Sequence, residues 1–86
     1  MSMSLPEAMA LLGEARNKAE EAAVIMQSAR AHLGEVFTAL KAVEASGISP
    51  GRMPSTIMLA SESHEICEDL ANRTYSLFQG INEILQ

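Results

Sequence analysis

The chain has 86 residues and is 48% hydrophobic, yet it holds no Trp, one Tyr and two Phe, so it reads as one small domain without large aromatic anchors for a core. A net charge of −5, with Arg16, Lys18, Arg30, Lys41, Arg52 and Arg73 scattered singly, argues against direct binding to nucleic acid or to an anionic membrane surface. The single Cys67 leaves no internal disulfide and fits a reducing compartment.

The N-terminal Met1-Ser2-Met3-Ser4 has neither a basic flank nor an apolar run, so no signal peptide is expected. The expected location is cytoplasmic, with secretion without a signal peptide as the alternative. Ser4-Leu5-Pro6-Glu7 is a helix start, with Ser4 as N-cap, Pro6 in the first turn and Glu7 as the capping-box partner. From there a seven-residue repeat runs without a break. Leu5, Leu12, Ala19, Met26, Leu33 and Leu40 form one column, and Ala8, Ala15, Ala22, Ala29, Val36 and Val43 stand three residues further along. That is the a/d pattern of a helix that lies against another helix. The pattern predicts a helix over 5–45, ended by Ser46-Gly47, with Gly34 as the place where a kink would fall.

Residues 46–54 are the one break in the chain, because Gly47, Pro50, Gly51 and Pro54 cannot continue a helix. The chain must fold back there. Ile48 and Met53 are expected to close the end of the hairpin core, with Arg52 exposed at the tip. A second helix is expected over 55–85, with Leu59, Ser63, Ile66, Leu70, Thr74, Leu77, Ile81 and Ile84 as its seam. Its C-terminal half should pack on Leu5–Ala29. Antiparallel pairing about the loop should set residue i level with about residue 100 − i.

Chemistry-bearing residues are sparse. His32, His64, Cys67 and Glu68 are the one gathering of metal-ligand types, with His64, Cys67 and Glu68 at helical spacing, but the run lacks the second His of a zinc-protease motif. The expectation is no metal, with Cys67 packed as a small apolar residue. No phosphate loop or nucleophile triad is present, and two helices offer little concave volume. Neither an enzyme nor a cofactor is therefore expected. Glu62, Glu65, Glu68 and Asp69 make an acidic strip on the second helix, either a solvated face or a docking strip for a basic protein.

Two long helices, an acidic balance and a Gly/Pro-containing turn make the chain resemble the WXG100 or ESAT-6-like hairpins. The likeness is one of architecture: Ser49-Pro50-Gly51-Arg52 stands where that family has Trp-x-Gly, and Tyr75 is followed four residues later by Gln79 rather than by an acidic residue. The resemblance implies hairpins that dimerise into four-helix bundles and serve as substrates or partners of type VII secretion. The alanine-rich first helix is also similar to short bacterial hairpin proteins.

These readings converge on an all-α antiparallel two-helix hairpin, over 5–45 and 55–85, that pairs into a four-helix bundle. The expected function is non-catalytic: a small adaptor, chaperone or inhibitor that acts through helix–helix packing, as a homo-oligomer or in a larger complex. The expected assembly contact comprises Leu11, Val24, Ile25 and Phe37, with the acidic strip turned to a partner. A type VII-like secreted hairpin is the alternative, and a metal-binding bundle ranks below it.

Overall fold

The computed structural model describes residues 2–48 and 50–86. Two helices account for nearly all of them: α1 over Leu5–Ala45 and α2 over Met53–Leu85. They pack against each other along their length as an antiparallel hairpin, 64 × 23 × 13 Å in extent. The thinnest dimension is that of a single helix layer. A compact domain of this length would have a radius of gyration of about 12 Å, whereas this slab has 19.3 Å.

The local signals act as expected at the start of α1. Ser4 is extended and its side chain accepts a hydrogen bond from the Glu7 backbone N–H at 3.3 Å, while Pro6 occupies the first turn. α1 then continues through Gly34 without interruption and ends where Gly47 takes φ +86°, a conformation that suits glycine. α2 begins two residues earlier than expected, at Met53 rather than 55. Pro54 lies inside its first turn, where a missing N–H leaves nothing unsatisfied, so the proline starts the helix instead of delaying it. Arg52 precedes it at φ 71°, and Thr56 N–H donates to the Arg52 carbonyl at 2.9 Å. Of the two residues expected to close the core at this end, Met53 is buried and Ile48 is exposed. Ser49 of the turn lies outside the described residues.

The seam between the helices departs from the expected one in an instructive way. In α1 the column Leu12, Ala19, Met26, Leu33 and Leu40 does face α2, but its companion stands four residues along, not three: Arg16, Ala23, Arg30 and Phe37. The all-apolar column at three residues along lies beside the seam, with Val36 and Val43 exposed. In α2 the seam is displaced by one residue over most of its length. Ala60, His64, Cys67, Ala71, Phe78 and Leu85 turn inward, while Leu59 and Ile66, 63% and 62% exposed, turn out. Thr74 and Ile81 are the two positions common to both readings. The Thr74 hydroxyl donates to the Leu70 carbonyl at 2.9 Å, which satisfies its polar group beside the partner helix.

Small residues therefore make the hairpin. Among the described residues the buried set is Ala19, Ala23, Met53, Ala60, Cys67 and Ala71. With so little bulk between them the helix backbones come close: the Cys67 thiol donates across the interface to the Met26 carbonyl at 3.6 Å. One turn away the His64 ring lies 3.6 Å from the place a Cβ on Gly34 would occupy. These contacts set partners nearer the loop than the expected count. α1 has 41 residues and α2 has 33, so Leu5 and Met9 project beyond the end of α2 and are exposed for want of a partner.

Candidate interaction face

Each helix carries a second apolar stripe, and the two stripes stand in the same relation to the seam. In α1, Leu11, Ala15, Ala22, Ile25, Ala29, Val36 and Ala39 each immediately precede a seam residue. In α2, Leu59, Ser63, Ile66, Leu70, Leu77 and Ile84 do the same. One residue is about 100° of helix rotation, so each stripe is set roughly a quarter turn back from the seam. Because the helices run in opposite directions, an equal rotation about each axis brings both stripes to one broad side of the slab. The opposite side confirms the geometry: Glu20 and Gln27 of α1, each just after a seam position, share one shallow cleft with Tyr75 of α2, which also follows one.

The slab thus has two unlike broad faces. One presents Leu11, Ile25, Val36, Leu59, Ile66, Leu70, Leu77 and Ile84, all exposed. The other presents Glu20, Gln27, Thr38, Glu65, Glu68, Asn72 and Gln79 around the Tyr75–Phe78 pair, whose ring centroids are 6.3 Å apart. The three cationic or imidazole side chains on the apolar side lean toward acids at its edges: Lys18 to Glu21 at 3.8 Å, His32 to Glu35 at 3.7 Å and Arg73 to Asp69 at 2.8 Å. Such exposed pairs contribute little stability, but they clear the middle of the face for apolar contact.

The residues expected at an assembly contact divide between these places. Leu11 and Ile25 stand on the apolar face. Val24, next in the chain to Ile25, projects on the other side and lines the cleft with Tyr75 and Phe78. Phe37 is half-buried in the hairpin seam, since it takes the position four residues after Leu33. Leu59, Ile66, Leu70, Leu77 and Ile84, expected in the hairpin seam from their three- and four-residue steps, belong to the outer face. Their spacing by sevens and fours carried that signal, offset by one residue from the true seam.

The acidic residues are exposed but do not form a single row. Glu62 and Asp69 lie on the outer edge of α2, opposite the seam, whereas Glu65 and Glu68 turn toward the polar broad face. The metal-ligand types are dispersed as well. His32 is paired with Glu35 on the apolar side, His64 lies against Gly34 and the Cys67 thiol is taken by the Met26 carbonyl. Among the described residues, no group of three or more His, Cys, Asp or Glu is placed to hold a metal ion, and no helix is long and apolar enough to cross a membrane. No protein-family model matches the chain, and no curated protein or solved structure matches it either.

Proposed function

We propose that this protein is a non-catalytic interaction module, a small helical adaptor, chaperone or inhibitor whose working surface is the apolar broad face. The observation that supports this reading is the inverted distribution of bulk. The most buried residues of the hairpin are Ala19, Ala23, Met53, Ala60, Cys67 and Ala71, whereas Leu11, Ile25, Leu59, Ile66, Leu70, Leu77 and Ile84 stay exposed on one face. Water exposure of such a stripe is unfavourable by roughly 25 cal/mol per Å² of apolar surface, so a protein surface that covers it gains that free energy. Glu62, Glu65 and Glu68 stand off this face and stay accessible to a basic protein, the expected second partner.

Thiol accessibility tests the reading. In a Cys67→Ala background, Leu70→Cys places a thiol on the apolar face and Met58→Cys places one off it. The expected result is that a soluble thiol reagent modifies Leu70→Cys several-fold more slowly than Met58→Cys in the native assembly. Equal rates would mean that the face is bare and the reading is wrong.

The open two-helix architecture also favours a second reading, a WXG100-like hairpin exported by, or escorting a substrate of, type VII secretion. Appearance of the chain in culture medium only when a secretion system is intact would select it.

A further inference from the structure

We infer that the occupant of the apolar face is a second copy of this chain, docked about a two-fold axis parallel to the helices so that α2 of each copy lies on α1 of the other. This rests on the interaction reading above and adds both the partner and its orientation.

The first argument is area. A compact protein of this mass exposes about 4,900 Å², and the chain exposes 6315 Å². Two copies reduced to the surface of a compact protein of twice the mass would bury up to about 4,400 Å² in all. That lies within the range of roughly 2,000–5,000 Å² typical of obligate homodimers. A second copy is thus large enough to remove the excess and presents the same face to do it.

The second argument is the size pattern on the face. The column of α1 nearest the groove reads Ala15, Ala22, Ala29, then Val36. At the same levels, the column of α2 reads Ile84, Leu77, Leu70, then Ser63. The contact of His64 with Gly34 lies within one residue of these levels, while that of Cys67 with Met26 sets partners nearer the loop. Where α1 is small α2 is large, and where α1 becomes larger α2 becomes small. A two-fold axis parallel to the helices permits no sliding of one copy along the other, so residues level within a chain are also level across the dimer. Leu77 of one copy then sits over Ala22 of the next, and each layer pairs bulk with space as close packing requires. An axis perpendicular to the helices would instead oppose α1 to α1 and α2 to α2, setting Ala against Ala in one half and Leu against Leu in the other.

Mixed-copy disulfide formation tests this. In the Cys67→Ala background, one copy carries Ala22→Cys and the other, distinguished by mass, carries Leu77→Cys. A second mixture pairs Ala29→Cys with Leu70→Cys. Mild oxidation of each mixture is expected to yield mainly the mixed disulfide, with each variant alone remaining largely uncross-linked. Cross-linking of each variant with itself, in preference to the mixture, would overturn the orientation. Monomer mass for the unmodified protein at every concentration would overturn the second copy as occupant. If that monomer is poorly helical, the interaction reading survives with a different protein as partner; if it is fully helical and its face thiols react freely, both fail.

Discussion

Ala71→Leu is expected to destabilise the protein by about 1–3 kcal/mol, the usual effect of forcing extra methylenes into a close-packed interior. Ala71 is 0% exposed and stands midway along a seam whose other buried members are mostly alanine. A leucine there has no room unless the helices separate, and separation also breaks the approach that lets the Cys67 thiol reach the Met26 carbonyl. Thermal unfolding at fixed protein concentration measures the effect, at roughly 4–8 °C per kcal/mol for a chain of this size. Ala10→Leu, at an exposed site of α1, is the control and should leave the midpoint near that of the parent. A seam that accepts leucine at 71 without loss would not be the tight alanine contact described.

Val24 and Ile25 supply the second test, because these adjacent residues of nearly equal exposure, 64% and 60%, flank the outer edge of α1, Val24 toward the Tyr75–Phe78 cleft and Ile25 toward the apolar face. Ile25→Asp is expected to abolish association, since a carboxylate buried in an apolar contact costs several kcal/mol unless it is paired. Val24→Asp should leave association unchanged. Leu70→Asp should behave as Ile25→Asp does, because it stands on the same side of the neighbouring helix. Sedimentation velocity of the variants reads the outcome directly. Loss of assembly in Val24→Asp with retention in Ile25→Asp would place the contact on the polar side instead.

The elements themselves were legible in the sequence because their signals are local. Ser4, Pro6 and Glu7 set the start of α1, Gly47 ended it, and the Gly/Pro cluster forced the reversal. The start of α2 was misplaced because Pro54 was read as a boundary, although the first turn tolerates proline. The seam was harder to read for a physical reason. Hydrophobic periodicity reports every contact a helix makes, and α1 makes two, so its apolar columns at adjacent positions overlap into one wide stripe. Arg16 and Arg30 interrupt the true companion column and made the uniformly apolar column beside it look the better choice. In α2 the aliphatic residues at steps of three and four, Leu59, Ile66, Leu70 and Leu77, outweigh the true seam residues Ala60, Cys67, Ala71 and Phe78, which stand one position along. Of the residues expected at an assembly contact, Leu11 and Ile25 lie on the apolar face, while Val24 and Phe37, judged against the other seam, do not.

The division of labour between small and large residues also accounts for a chain of this length lacking a core of its own. No side chain among the described residues combines large volume with full burial. The hairpin is two helices wide and one helix thick, and on the proposed reading its stability depends on what covers its apolar side. Association would then be coupled to folding, and added salt should strengthen it by screening the net charge of −5 on each copy.

Sedimentation equilibrium over a wide dilution series, with helix content followed by circular dichroism on the same samples, tests this most directly. The account predicts a species of twice the chain's 9.2 kDa that loses mass and helix together as dilution dissociates it. A monomer that remains fully helical at every concentration would contradict it, because such a chain would need nothing on its apolar face.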